Sequence, residues 1–99
     1  LVRIGEWAFR ECQIKELNSD SFPSLEVIGK RGFWCCPITS TYLPSLVSVG
    51  DEGFYGCESL WNFSAQNLQE IGYSCFKETQ LQNCYFPKLI RIGYSAFQE

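Results

Sequence analysis

Residues 46–54 read LVSVGDEGF, and the same line recurs four more times in this chain of 99 residues. Each copy has Leu at its first position, Ile or Val at the fourth, Gly at the fifth and Phe at the ninth. The repeated glycines are 24, 21, 22 and 21 residues apart, and a period of this length predicts a solenoid of stacked, similar coils. We therefore expect function on a repeated surface rather than in a central pocket. The other copies are LVRIGEWAF at 1–9, LEVIGKRGF at 25–33, LQEIGYSCF at 68–76 and LIRIGYSAF at 89–97.

The recurring apolar positions of this line predict the interior of the stack. The phenylalanines are expected to form one interior column, because each meets its counterpart on the next coil. The glycine after each Leu-x-x-Ile/Val run indicates a backbone bend, or a close approach that a side chain would resist. The expected repeat core is Leu25, Ile28, Gly29, Phe33, Leu46, Val49, Gly50, Phe54, Leu68, Ile71, Gly72 and Phe76.

A second apolar line follows each phenylalanine and predicts a strand. In extended conformation its first, fourth and sixth residues point inward, and the residues on either side of the fourth face out. These strands are expected to stack in parallel, about 4.8 Å apart, in a concave sheet. The Leu-x-x-Ile/Val run is expected to be a short extended segment on the opposite side, followed by a short helical turn. The copies are IKELNS from Ile14, ITSTYL from Ile38, LWNFSA from Leu60 and LQNCYF from Leu81.

The composite line LxxIGxxAFxxCxxLxxLxLP, fullest in residues 25–44 and 46–68, resembles the BspA-like leucine-rich repeats of bacterial and protist surface proteins. The resemblance covers the whole chain, although Thr79 stands where Cys is expected, Cys75 where Ala is, and Gln66 where Pro is. It implies a leucine-rich repeat solenoid of the α/β horseshoe type, rich in β structure. Its parallel concave sheet would be backed by short helical turns and short extended segments on the outer side. The resemblance also implies adhesion or partner binding through the array.

Residues 1–99 are thus interpreted as a single leucine-rich repeat array of about four and a half repeats, each of 21 to 24 residues. A solenoid needs polar end caps to stay soluble, and neither end of the sequence resembles one. We therefore expect a segment of a longer array, with more repeats at both ends.

Three of the six cysteines share one position, three residues after the phenylalanine: Cys12, Cys36 and Cys57. They are expected to form a ladder at a corner of the core, since Cys is often a small buried hydrophobic residue. Disulfides between ladder neighbours are the alternative, although parallel side chains rarely give the required dihedral angle. A zinc site would need four thiolates from different coils, because the chain has no CxxC pair and no His.

The other three cysteines differ in phase. Cys35 is expected to be exposed, whereas Cys75 and Cys84 occupy an Ala and a Leu position and are expected in the core. The cysteine count alone does not fix the redox compartment.

Charge and motifs argue against several classes of function. The formal net charge is −3, and the eight basic residues are scattered, which gives no footprint for nucleic acid and no polybasic membrane signal. Apolar stretches are too short for a transmembrane helix, so no direct membrane insertion of this segment is expected. The chain lacks His, a GxSxG motif and a phosphate loop, and its acidic residues, Glu52 and Glu58 among them, are interpreted as solvated charges. The sequence therefore predicts no enzyme and no cofactor.

The outward positions of the predicted concave sheet carry aromatic and amide side chains with little charge. Such side chains suit contact with a protein or a glycan, because Tyr and Trp bury a large area for few immobilised bonds. Ordinary strand decoration is the alternative, since aromatic residues also favour strands. The candidate binding residues are Asn18, Tyr42, Trp61, Asn62, Ser64, Asn83 and Tyr85.

Two further features concern the surface. A second aromatic set is expected on the outer side, but its members differ in phase and are not expected to form one stripe. Asn62 also begins an N-x-S sequon, and a glycan there would obstruct the concave face, so either the sequon is unused or another surface binds. The second set is Trp7, Trp34, Tyr55, Tyr73 and Tyr94.

The sequence predicts a non-enzymatic protein-interaction or adhesion module that binds a protein or glycan through the repeat surface, on a cell surface or in secreted form. The alternative is an intracellular structural or scaffolding segment in the cytoplasm, where the array acts as a spacer and its thiols stay reduced.

Overall fold

The computed structural model describes residues 3–9, 13–20 and 22–97, which form a stack of coils. Nine short strands alternate between two parallel sheets within these residues, and the apolar core is packed from the inward side chains of both. The odd-numbered strands form a five-stranded sheet in the order β1-β3-β5-β7-β9, and the even-numbered strands a four-stranded sheet in the order β2-β4-β6-β8. The strands are β1 (Arg3–Ile4), β2 (Glu16–Asn18), β3 (Val27–Ile28), β4 (Ser40–Tyr42), β5 (Ser48–Val49), β6 (Asn62–Ser64), β7 (Glu70–Ile71), β8 (Asn83–Tyr85) and β9 (Arg91–Ile92).

Each of the first four sequence repeats thus contributes one strand to each sheet, as the two apolar lines predict, and the fifth contributes β9. Pairing keeps equivalent residues in register, so Leu17 lies beside Thr41, and Thr41 beside Phe63. The unequal repeat lengths do not disturb this register, because the extra residues fall in the connections between strands. The expected leucine-rich repeat solenoid is confirmed, and its core residues at the Leu, Ile/Val and Phe positions are all buried on the three middle coils.

The phenylalanines form the expected interior column. Successive rings from Phe9 to Phe33, Phe54, Phe76 and Phe97 have centroids 5.2, 5.5, 5.6 and 5.3 Å apart, with interplanar angles of 3° to 12°. These nearly parallel rings occupy the same position in every coil. The repeat of Phe in the sequence therefore corresponds to a repeat in the packing of the core.

The arc after each glycine is a series of tight turns, and the predicted helical turn is not formed. The N–H groups of Arg31, Phe33 and Cys35 donate to carbonyl oxygens of the next coil, over 2.9 to 3.0 Å. A helical turn would need such N–H groups for carbonyls within its own coil. The second residue after each glycine has a left-handed φ, which turns the arc away from a helix. These residues are Trp7 (φ 62°), Arg31 (56°), Glu52 (56°), Ser74 (50°) and Ser95 (55°).

The repeated glycines allow neighbouring coils to approach closely. A Cβ on Gly50 would lie 2.7 Å from the nitrogen of Lys30, and one on Gly72 would lie 2.5 Å from the nitrogen of Asp51. Neither glycine has a left-handed φ. The structure thus shows the expected close approach, and the left-handed φ of the turn falls two residues after the glycine.

The corner cysteines belong to the core. The thiol of Cys36 donates to the carbonyl oxygen of Phe9 at 2.8 Å, and that of Cys57 to the carbonyl oxygen of Phe33 at 3.0 Å. Each thiol therefore ties its own coil to the preceding one. Cys12, the first member of the expected ladder, lies outside the described residues.

The remaining cysteines divide by exposure. Cys75 is buried as expected, and this burial raises the pKa of its thiol well above the usual range. Cys35 is exposed, also as expected. Cys84 was expected in the core but is exposed, because β8 is the edge strand of its sheet and no described strand packs beyond it.

Candidate binding face

The outward side of the four-stranded sheet, here called the four-stranded face, carries two rows of side chains. Alternation along the strands sends Leu17, Thr41 and Phe63 into the core, so the residues before and after them point away from it. Pairing then aligns these outward residues from coil to coil. The rows are Glu16–Ser40–Asn62–Asn83 and Asn18–Tyr42–Ser64–Tyr85.

Three large aromatic side chains are exposed on this face or directly beside it. Tyr42 is 48% exposed and Tyr85 is 58% exposed, and Ser64 lies between them in the same row. Trp61 is 45% exposed and directly precedes β6. An exposed aromatic ring loses contact with water at little entropic cost when a partner covers it, because it has few rotatable bonds.

The backbone of Trp61 is held on both sides by neighbouring coils. Its N–H donates to the carbonyl oxygen of Thr39 at 3.1 Å, and its own carbonyl oxygen accepts from the N–H groups of Gln82 and Asn83 at 2.9 and 3.0 Å. The indole is therefore presented from a fixed backbone. This arrangement suits an anchor residue, since less order must be imposed when a partner binds.

The amide side chains of the face differ in their surroundings. The side-chain oxygen of Asn18 accepts from the N–H of Asp20 at 2.9 Å, so this amide organises the loop after β2. Asn62 lies between Ser40 and Asn83 in its row, with Phe63 fully buried beside it. The sequon at Asn62 is therefore in the middle of the four-stranded face, as its position in the predicted strand indicates.

The five-stranded sheet carries a different surface, which sequence reasoning did not propose as a site. A shallow groove there contains the ion pair between Arg91 and Glu70, whose N–O distance is 3.1 Å. Tyr73 and Tyr94 border this groove and are exposed, and the N–H of Tyr73 donates to a carboxylate oxygen of Asp51 at 3.0 Å. The signal for this groove in the sequence is the pair of tyrosines that directly follow two repeated glycines.

Three aromatics of the second set form a column on the turn arcs. The rings of Trp34 and Tyr55 stack with centroids 4.5 Å apart, and Trp7 lies 5.5 Å from Trp34. The guanidinium of Arg31 lies 4.8 Å from the Trp7 ring centroid and 5.4 Å from that of Trp34, and its Nε donates to Glu52 at 2.6 Å. The five aromatics therefore do not form one continuous stripe, as expected, although three of them join in this column. Glu52, interpreted as a solvated charge, is in fact an ion-pair partner with a side chain only 14% exposed.

The column ends at a tyrosine–carboxylate contact. The hydroxyl of Tyr55 donates to Glu78 at 3.2 Å. Desolvation is the largest cause that raises the pKa of the Tyr55 hydroxyl, and the negative charge of Glu78 raises it further. Because its rings and charges contact one another, the column joins neighbouring coils together.

Within residues 3–9, 13–20 and 22–97, no helix has the length and apolar character needed to cross a bilayer. In the same ranges, acidic and cysteine side chains do not gather in groups of three or more that could hold a metal ion.

Comparison with known proteins agrees with this geometry. The family model described as a BspA type leucine rich repeat region, with 6 copies, matches residues 1–99. No curated protein and no solved structure matches the chain. The family match covers both apolar lines of every coil and therefore the two sheets described above. The chain belongs to the BspA-type leucine-rich repeat family.

Proposed function

We propose that this chain is a non-enzymatic recognition module that binds a protein or a glycan through the four-stranded face. The module would serve in adhesion or partner binding, either at a cell surface or as a secreted protein. The leucine-rich repeat family supports the coarser part of this proposal, since its solenoids are typically interaction scaffolds.

The observation that carries the proposal is the exposure of Tyr42 on β4 and Tyr85 on β8, with Trp61 exposed directly before β6. Binding energy at protein interfaces is concentrated in a few anchors, and Trp and Tyr are enriched among them. A central anchor of this kind is worth on the order of 2 kcal/mol or more. Tyr42 and Tyr85 lie in one row two coils apart, and Trp61 belongs to the coil between them, so we propose that one extended ligand contacts all three.

The polar side chains of the face indicate the chemistry of its ligand. Ser40, Asn62, Ser64 and Asn83 supply hydroxyl and amide groups, whereas Glu16 is the one charged side chain in the two rows. Neutral hydrogen-bonding groups beside aromatic rings suit sugar hydroxyls and peptide groups. Binding should then depend only weakly on salt, because few charges are available for screening.

A non-enzymatic role is supported by the distribution of shifted titratable groups. Burial raises the pKa values of Cys75 and Cys84, and Tyr55 contacts Glu78 on the turn arc. These groups are dispersed over different parts of the stack, whereas a catalytic site needs perturbed groups gathered in one concave pocket.

The test compares two sets of aromatic substitutions on opposite sheets. One variant carries Tyr42→Ser, Trp61→Ser and Tyr85→Ser, and its matched control carries Tyr73→Ser and Tyr94→Ser. Binding would be measured on an array of immobilised oligosaccharides and glycoproteins, with affinities from calorimetry and folding checked by circular dichroism. We expect the first variant to lose at least about 30-fold in affinity, the equivalent of about 2 kcal/mol, while the control binds normally.

The reverse result would place recognition in the groove of the five-stranded sheet. Unchanged binding in both variants would also contradict the proposal. It would favour the alternative function, an intracellular scaffolding segment in which the array acts as a spacer.

A further inference from the structure

The two tyrosines of the four-stranded face are separated by a small side chain. Pairing places Ser64 of β6 between Tyr42 of β4 and Tyr85 of β8 in one row. Neighbouring strands of a sheet lie about 4.8 Å apart, so the backbone presents the two tyrosines about 9.6 Å apart along the axis of the stack. The row therefore alternates between large and small side chains. A ligand that contacts both rings must offer contacting groups at that interval.

This interval discriminates between the conformations that a bound peptide can take. A β-strand turns every second side chain to the same face, at intervals of about 6.7 Å. An α-helix has a pitch of about 5.4 Å and returns a side chain to the same line only after seven residues, or about 10.5 Å. In the polyproline II conformation, every third side chain lies on the same edge, at intervals of about 9.3 Å. The polyproline II interval matches the tyrosine spacing most closely.

The position of Trp61 suits the same conformation. Trp61 directly precedes Asn62, whereas Ser64 follows Asn62 by two residues, so the indole and the tyrosine row lie on opposite sides of the row that contains Asn62. Along the axis, Trp61 belongs to the coil between those of Tyr42 and Tyr85. A polyproline II helix has three edges. A segment that lies over the row of Asn62 can thus turn one edge to the tyrosines and another to the indole.

The hydrogen-bonding groups of the face also fit such a segment. Proline has no N–H group, and a polyproline II backbone makes no internal hydrogen bonds, so its carbonyl oxygens are available as acceptors. The face supplies donors in the amides of Asn62 and Asn83, the hydroxyl of Ser40 and the indole N–H of Trp61. An α-helix is less suitable, because its carbonyl oxygens already accept hydrogen bonds within the helix.

The charge of the face favours an uncharged ligand. Glu16 is the one charged side chain in the two rows, and it lies at the β2 end. Proline side chains carry no charge, so a proline-rich segment buries no ion against the neutral part of the face. An acidic segment would be disfavoured by Glu16 and by the net charge of −3 of the chain.

We propose that the four-stranded face binds a proline-rich protein segment in the polyproline II conformation, with the segment lying along the axis of the stack. Prolines three residues apart contact Tyr42 and Tyr85, and a residue between them contacts Trp61. This inference rests on the proposed function and names the chemistry of its ligand. Free proline-rich chains already populate this conformation, so little conformational entropy is lost on binding. Aromatic-lined surfaces are a known means of recognising it.

Titration with two synthetic peptides tests the required conformation. One peptide repeats Pro-Pro-Ala and adopts the polyproline II conformation, and the other repeats Val-Thr to the same length and favours an extended β conformation. Affinities would be measured by NMR titration of the chain. We expect the proline peptide to bind at least about tenfold more tightly than the Val-Thr peptide.

A substitution that adds an aromatic ring tests the required spacing. Ser64→Tyr places a third ring between Tyr42 and Tyr85, where the proposed ligand turns no edge to the row. We expect it to weaken binding of the proline peptide at least about tenfold, whereas the matched control Ser64→Ala keeps the spacing and retains the affinity. Circular dichroism checks the folding of both variants. Tighter binding by Ser64→Tyr would show that the face is adhesive to any ligand through its aromatic area, which contradicts the proposal.

The remaining outcomes separate this inference from the proposed function. Equal binding of the two peptides contradicts the inference. If the proline peptide does not bind, but an oligosaccharide binds and is lost in the triple variant of Tyr42, Trp61 and Tyr85, the ligand is a glycan. The inference is then wrong, while the proposed function stands. If peptide and oligosaccharide binding are both absent, or unaffected by the triple substitution, the proposed function fails as well.

Discussion

At the residue scale, two threonines in the interior have opposite hydrogen-bonding states. Thr41 is 1% exposed, and its hydroxyl has no partner among the described residues. Thr79 takes the corner position of Cys36 and Cys57, and its hydroxyl donates to the carbonyl oxygen of Phe76 at 2.8 Å. A buried polar group costs free energy when unpaired and contributes stability when paired.

We expect Thr41→Val to raise the free energy of unfolding by about 1 kcal/mol, because the substitution removes an unpaired hydroxyl at nearly constant shape. Thr79→Val should lower it by a similar amount, because a buried carbonyl loses its donor. Urea denaturation of both variants measures the two values. If the two variants shift in the same direction, these hydroxyls do not have the roles assigned to them.

The glycine row gives a second contrast between single residues. Gly72→Ala should lower the free energy of unfolding by about 1 to 3 kcal/mol, because its Cβ would lie 2.5 Å from a backbone nitrogen. Gly72→Ser and Gly72→Val place the same Cβ there and should be at least as damaging, with the branched Val worse. Gly5→Ala is the matched control, with no atom in the way. Equal stability of Gly72→Ala and Gly5→Ala in thermal unfolding would show that the close approach has no energetic weight.

At the element scale, the phenylalanine column packs five successive rings through the described coils. Phe54 is fully buried, stacks between Phe33 and Phe76, and meets the edge of Phe63 at a centroid distance of 5.3 Å. Its loss leaves a cavity in the middle of the stack, where coils on both sides limit collapse.

Phe54→Ala should therefore lower the free energy of unfolding by about 3 to 5 kcal/mol. Phe97→Ala removes the same side chain from the partly exposed end of the column, and we expect a clearly smaller loss. Chemical denaturation of both variants measures the two losses in the free energy of unfolding. An effect of Phe54→Ala below about 1 kcal/mol would contradict the register of the coils.

The strands and the column were predictable because they depend on the period of apolar residues, which the sequence shows directly. The turn arcs were not, since their form depends on hydrogen bonds between coils, such as that from Phe33 to Gly53. The left-handed residues within the arcs include Trp7 and Glu52, and neither type signals that conformation by itself. The stacking of Trp34 on Tyr55 was not predictable for the same reason, because it depends on the path of the turn arcs.

The face was predictable for a similar reason as the strands. Alternation alone placed Tyr42 and Tyr85 outward, and their exposure agrees with it. The hydrogen bond that the Asn18 side chain accepts from the N–H of Asp20 was not predictable from alternation, because it depends on the path of the chain after β2.

At the scale of the whole molecule, the two sheets have different surfaces. The four-stranded face has neutral amides and exposed aromatic rings, whereas the five-stranded sheet carries the ion pair of Glu70 and Arg91 beside exposed tyrosines. The turn arcs are occupied by contacts that join coils, such as Arg31 with Glu52. Only one of these three surfaces therefore combines exposed anchors with hydrogen-bonding groups and little charge, and recognition through that surface is the central claim.

Fluorescence of Trp61 tests this claim most directly. A reporter with Trp7→Phe and Trp34→Phe keeps only the tryptophan of the four-stranded face, and a matched reporter with Trp7→Phe and Trp61→Phe keeps only that of the turn arc. Acrylamide quenching would be measured with and without a ligand identified on the array. We predict that the ligand protects Trp61 from quenching and shifts its emission to shorter wavelength, while Trp34 is unaffected. Protection of Trp34 with no change at Trp61 would contradict recognition through the four-stranded face.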